Sequence, residues 1–180
     1  MTDPKFAIRL AKAEDLAAIQ QLFVDTIRSV CSSDYNEQEI AVWVSSIQNI
    51  ARWNDKLTST YFIVAEHEAT IVGFASLADK EYFDLLYVHK DYQRMGVAHK
   101  LYTQIELEAI KRKAEILNVE VSKTAIGFFE KMGYQVVAKQ SNVKKDVAIV
   151  NYKMSKKLDS QENVHQEENS KIFERNELNF

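Results

Sequence analysis

The apolar positions of this chain switch between a period of two and a period near 3.6. Phe6-Ala-Ile-Arg-Leu10 alternates as a first strand would. Leu16, Ile19, Phe23, Ile27 and Val30 then recur at helical spacing behind Glu14 and Asp15, two acids suited to a helix's first turn. Asn36 and Glu39 have capping-box spacing, and Ile40, Trp43, Val44 and Ile47 follow as a second helix. Residues 52–56 read as a short connector. Two apolar runs, 61–65 and 70–77, flank the polar stretch 66–69 and predict a hairpin with His67 in its turn.

The central pattern follows. Tyr82-Phe-Asp-Leu-Leu-Tyr-Val88 is apolar enough for a buried strand, His89-Lys-Asp-Tyr92 is polar, and Gln93-Arg-Met-Gly-Val-Ala98 opens a helix. Val97, Leu101, Ile105 and Ala109 form its apolar stripe, with Lys111, Arg112 and Lys113 closing the last turn. A strand, a glycine turn and a helix N-terminus in that order suit an anion. The first-turn amides are free, the dipole is positive there, and Gly96 lets a ligand approach the backbone. Beyond it, Leu117, Val119 and Val121 share one face of a strand. Ala125, Phe128, Phe129 and Met132 have helical spacing and stop at Gly133. Residues 134–143 and 146–154 predict a closing strand pair with Lys144-Lys145 in the turn. The mixture of strands and helices gives an α/β (α+β) fold class. Gly127, in a helix interior, is expected to mark a close backbone approach, either to a strand or to the cofactor.

Gln93-Arg94-Met95-Gly96-Val97-Ala98 resembles the Gln/Arg-x-x-Gly-x-Gly/Ala signature of the GNAT superfamily of N-acetyltransferases, whose loop binds the pyrophosphate of acetyl-CoA. The segment from Ser122 to Tyr134 resembles that family's second signature, Asn-x-x-Ala-x-x-Phe-Tyr-x-Lys-x-Gly-Phe, and Ile8-Arg-x-Ala-x-x-x-Asp-Leu16 looks like its opening strand and helix. The resemblance spans residues 6–154. It implies a mixed, mostly antiparallel central sheet of six to seven strands flanked by about four helices. It also implies acetyl-CoA as acyl donor, with Leu86, Tyr87, Val88, residues Gln93 to Ala98, Ser122 and Phe129 as cofactor-binding positions. In two places the chain departs from the pattern. Ser122 replaces an asparagine on the pantetheine side, and Phe129 replaces the tyrosine that often protonates the departing thiolate. Asp34-Tyr35-x-x-Gln38 with Trp43 is similar to a pattern in an uncharacterised bacterial subgroup, which makes Tyr35, Gln38, Trp43 and Tyr82 candidates for the acceptor site.

Moving an acetyl group to an alkyl amine of pKa ~10.4 requires a base, directly or through water. Asp84, the acid in an otherwise apolar strand, is the candidate general base, expected on one face with Tyr82, Leu86 and Val88. Coenzyme A leaves as a thiolate of pKa ~8.5, so a general acid helps without being required. Tyr82, Tyr87 and Tyr134 are candidates and the acid stays open. Two other readings, a non-catalytic acyl-CoA sensor and an interaction protein on the same fold, remain open at this stage.

Composition narrows the partners. A net charge of −3 and a pI near 5.9 give no broad basic footprint for nucleic acid. One cysteine, Cys31, cannot form an intrachain disulfide, and the four histidines lack companions at metal-ligand spacing. No apolar run approaches the ~20 residues of a membrane span, so the expected location is cytoplasmic, with a homodimer possible. The boundaries expected are 1–156 for the acetyltransferase domain and 157–180 for a polar tail. Residues 159–180 carry six acids and two bases, a net −4.

Overall fold

The computed structural model describes residues 6–158; the acidic stretch 159–180 lies outside them. Within this range one seven-stranded sheet has the order β1-β2-β3-β4-β5-β7-β6. The strands are β1 (Ala7–Leu10), β2 (Tyr61–His67), β3 (Thr70–Ala78), β4 (Tyr82–Val88), β5 (Ile116–Ser122), β6 (Gln135–Lys144) and β7 (Val147–Lys157). All neighbours are antiparallel except β4 and β5. Five α-helices accompany them: α1 (Leu16–Val30), α2 (Glu37–Val44), α3 (Ile50–Ser59), α4 (Val97–Lys111) and α5 (Ile126–Lys131). No helix among the described residues is long and apolar enough to cross a membrane.

Each face of the sheet buries its own cluster. Ala75, Leu77, Phe83 and Val88 pack with Val97, Leu101 and Ile105 of α4 and with Phe129 of α5. Phe62, Val64 and Phe74 pack on the other face with Ile19, Phe23 and Ile27 of α1, Val44 of α2 and Trp53 of α3. The α4 stripe is as expected, with Leu101, Ile105 and Ala109 fully buried. Gly73 on β3 is where α4 comes closest. A Cβ there would meet Leu101 Cδ1 and Val97 Cγ1 at 3.0 Å, so a side chain would push the helix's apolar stripe outward.

Several expectations require correction. The stretch 52–56 is a turn of α3, not a connector. Asn49 caps that helix by accepting from the Arg52 amide at 3.0 Å, and Trp53 and Leu57 supply an apolar stripe too sparse to stand out from its polar surroundings. His67 ends β2 rather than sitting in the turn, which is Glu68-Ala69 with both φ positive at 49° and 62°. The β6–β7 turn is Lys145-Asp146, one residue later than expected, with φ of 50° and 62°. No protein atom lies within 4 Å of a Cβ built on Gly127, so that glycine marks no approach of strand or helix.

Candidate active site

The sheet opens at its middle. Strands β4 and β5 are in register only at Tyr82–Asn118 and Phe83–Val119, although β4 runs on to Val88 and β5 to Ser122. Beyond Phe83 the strands part. The β3–β4 ladder shifts register between Ser76 and Leu77, pairing Ser76 with Leu85 and Leu77 with Phe83, which leaves Asp84 as the extra residue of a bulge. Past the bulge the His89 amide donates to the Val72 carbonyl at 2.9 Å, so ladder alternation gives Tyr87 to β3. The main-chain groups of Leu86 and Val88 therefore face the gap.

The bulge also decides where Asp84 points. It lies with Tyr82 on the α1–α3 face, whereas Leu86 and Val88 lie on the α4 face, correcting the single face expected for all four. The reason is that an inserted residue reverses the alternation of the strand. Lys56 of α3 forms an ion pair with Asp84 Oδ2, and Ser76 Oγ donates to the same oxygen at 3.5 Å. The carboxylate side chain is 11% exposed, and Oδ1 has no hydrogen-bond partner among the described residues.

A cleft of about 590 Å³ fills the gap between β4 and β5. At one end is the loop before α4. Arg94 has φ 63° and Gly96 has φ 81°, and this succession of left-handed residues turns consecutive amides toward one side. The amides of residues 94–99 donate to no other described residue; the first α4 amide that does is that of Lys100, to the Gly96 carbonyl at 3.0 Å. A Cβ on Gly96 would meet no protein atom within 4 Å, so its open side faces the cleft. Gln93, Arg94, Gly96 and Ala98 line the cleft; Met95 is exposed and Val97 is buried in the core, so these two can offer only their amides.

Midway, Leu86, Tyr87 and Val88 form one wall and Val121, Ser122 and Thr124 the other, above a floor containing Phe83 and Phe129. Phe129 is 3% exposed and stands edge-on to Phe83 at 5.6 Å and to Tyr134 at 5.2 Å. Thr26 of α1 donates to the Val88 carbonyl at 3.3 Å, fixing α1 to the end of β4. Cys31 also lines the cleft, but burial pushes its thiol up, away from reactivity.

The acceptor candidates separate. Trp43 lines the cleft, whereas Tyr35 does not. The Tyr35 hydroxyl donates to the Val150 carbonyl at 2.7 Å and accepts from the Lys123 amide at 2.9 Å, tying the start of α2 to β7 and the end of β5. Burial pushes it up to about 12. Gln38 is on the exposed side of α2. Tyr82 is half-buried, and burial, then Glu120 and Asp84, push its hydroxyl up to about 12. Burial raises Tyr87 and Tyr134 as well, and of the three tyrosines only Tyr87 lines the cleft. Two residues were missed. Glu120 lines the cleft from β5, but within Val119-Glu-Val121 it carried only the polar beat of a solvent-facing strand, and Lys56 was hidden in the supposed connector.

The family described as Acetyltransferase (GNAT) domain matches residues 31–156, from the residue after α1 to the last but one of β7. The chain belongs to the GNAT acetyltransferases. It is 34% identical over 133 residues to the uncharacterized N-acetyltransferase YafP of Escherichia coli (strain K12), covering 74% of this chain and 83% of that one. The structure of a GCN5-related N-acetyltransferase from Rhodopseudomonas palustris superposes with a TM-score of 0.83 at 32% identity, covering 88% of this chain and 98% of that one. The PaiA N-acetyltransferase of Thermoplasma acidophilum, solved in complex with coenzyme A, shares the fold with a TM-score of 0.70 at 17% identity, covering 86% and 99%. This GNAT chain is accordingly an N-acetyltransferase, with the expected α/β architecture realised in seven strands.

Proposed function

We propose that the protein moves the acetyl group of acetyl-CoA to a primary amine of a small molecule or peptide by direct attack, with the cleft between β4 and β5 holding the coenzyme. The observation that carries this reading is the row of unpaired amides from Arg94 to His99 at the cleft mouth. Unpaired donors at a helix N-terminus suit the diphosphate of the coenzyme. The pantetheine then extends along β4, where the Leu86 main-chain groups and the Val88 amide offer the ladder that β5 does not complete. Ser122 and Phe129 bound it from the other side. The PaiA protein, on the same fold, is described in complex with coenzyme A, which agrees with that donor.

In the reaction the amine nitrogen attacks the thioester carbonyl, the C–N bond forms and the C–S bond breaks. The amine's proton goes to Asp84 Oδ1, directly or through a water, while Lys56 and Ser76 hold Oδ2 and fix the carboxylate plane. Coenzyme A departs as a thiolate and draws its proton from solvent; Tyr87 lines the cleft, but burial raises its hydroxyl and makes it the poorer donor. Phe129, packed edge-on in the floor, holds shape and donates nothing.

Free-thiol release from acetyl-CoA with a panel of primary amines tests the function. Asp84→Asn is expected to lower turnover about a hundredfold, within the ~100- to 10,000-fold range of general base catalysis, while coenzyme affinity stays within twofold or so. Undiminished turnover removes Asp84 from the mechanism. Coenzyme binding with no thiol release for any amine favours a sensor.

A further inference from the structure

A second, smaller recess of about 100 Å³ adjoins the main cleft, and Trp43, Leu85 and Tyr87 line both. Its apolar sides are Phe23, Trp53 and Tyr87, locked by ring contacts of 5.2 Å between Phe23 and Trp53 and 4.9 Å between Phe23 and Tyr87. The Trp53 indole N–H donates to the Ser46 carbonyl at 3.3 Å, which fixes the ring plane. The polar side chains at the recess include three cations, Arg52 and Lys56 of α3 and Lys144 of β6, and no acid lines it. Arg52 and Lys56 are four residues apart and so share a helix face. Lys56 reaches out of the recess to Asp84, whereas Arg52 and Lys144 form no ion pair with any described residue. Next to Lys144, Lys145 Nζ donates to Ser45 Oγ at 3.0 Å, holding the β6–β7 turn over the end of α2.

The charge changes sign from the cleft into this recess. Asp84, negative, faces the cleft; Lys56 sits behind it; Arg52 and Lys144 stand at the rim. We infer that this recess binds the carboxylate of the acceptor, so that the substrate class is small amino-carboxylates, whose amine lies at Asp84 while their carboxylate lies among Arg52, Lys56 and Lys144. An ammonium beside the aspartate and a carboxylate beside the cations match that order in sign. A guanidinium is the side chain suited to planar, two-point recognition of a carboxylate. At ~30 Å³ per water the recess holds about three, the room of a carboxylate with a short apolar neighbour. The aromatic sides are rigid and leave a carboxylate little freedom once it is seated. A polyamine or a basic peptide would instead bring like charge to Arg52 and Lys144.

This inference rests on the acetyltransferase reading, and the experiment separates the two. Thiol release from acetyl-CoA is measured with the proteinogenic L-amino acids and, for each, its methyl ester. The ester's amine is the less basic and more often neutral, so chemistry alone favours the ester, and a preference for the free acid has to come from anion binding. The wild-type protein is expected to prefer at least one free amino acid to its ester by about tenfold or more in kcat/KM. Arg52→Gln and Lys144→Gln, exposed positions whose folding is checked by coenzyme A affinity, are expected each to shrink that preference several-fold. Preference for the ester, or a preference unchanged in both variants, overturns the inference. If no amine releases thiol although coenzyme A binds, the acetyl-transfer reading fails, and calorimetry with the same amino acids on the coenzyme A complex decides the recess alone. Binding weakened by Arg52→Gln upholds it, and absence of binding rejects it.

Discussion

The two ends of the site are built differently. The proposed coenzyme end is a short stretch of chain, Gln93 to Ala98, set by its own backbone conformation: two left-handed residues and a helix start. The acceptor end has no such local origin. Trp43 from α2, Trp53 and Lys56 from α3, Asp84 and Tyr87 from β4 and Lys144 from β6 meet only because four separate elements pack together. A site made by one segment tolerates changes in the core around it, and a site made by many does not. The two ends should therefore fail separately.

The largest effect that would separate them is at Trp53, 4% exposed between Phe23 and Phe74. Trp53→Ala should cost about 3–5 kcal/mol of stability, read from urea unfolding, and weaken acceptor binding while coenzyme affinity of the folded fraction is kept. Loss of both affinities in parallel would mean that the ends are not independent. At the other end, Gly96→Val forces a β-branched residue into φ 81°, a strain of about 1–2 kcal/mol, and places its side chain in the open space before the amides. Calorimetry should give a tenfold or greater loss of acetyl-CoA affinity, with acceptor preference unchanged. Tyr35→Phe is a smaller, structural change. It leaves the Val150 carbonyl and the Lys123 amide without their partner, at about 1–2 kcal/mol, and shows whether the α2 anchor influences acceptor KM.

The smallest effect is with pH. The Tyr35 hydroxyl rises to about 12 when folded against ~10 when unfolded, so the native chain holds this proton more tightly. Its contribution is fully present below about pH 10 and declines as pH climbs toward 12, where unfolding releases the proton. Urea midpoints measured at pH 8, 10 and 11 should fall over the last interval, and fall less in Tyr35→Phe, since Tyr82, Tyr87 and Tyr134 are raised as well. A flat series would mean that the hydroxyl is solvated in the folded state.

The same contrast explains what could be read in the sequence. Gly96 in the one turn between an apolar strand and a periodic helix announces itself, because the chemistry lies in consecutive residues. The α4 stripe and the capping box of Asn36 and Glu39 were equally plain; in the latter, the Glu39 amide donates to Asn36 Oδ1 at 2.9 Å and the Asn36 amide to Glu39 Oε2 at 2.7 Å. Asp84 was noticed for its charge, but its direction depends on a bulge, and one inserted residue against β3 leaves no mark in β4's own sequence. Lys56 was unreadable for a different reason. It belongs to a helix held mainly by one buried tryptophan, and its partner is 28 residues away. Tyr35 was assigned to the acceptor by analogy of pattern, while its hydroxyl is committed to main chain 88 and 115 residues distant.

The brief register between β4 and β5 has a mechanical side. Two paired positions hold β1–β4 to β5–β7 across the middle of the sheet, with the crossover through α4 as the covalent link. An extended molecule lying in that seam and bonding to Leu86 and Val88 becomes a brace between two half-sheets. Amides of β5 and β7 should then exchange more slowly with solvent deuterium once coenzyme A is bound, so that the cargo carrier also stiffens the frame that carries it.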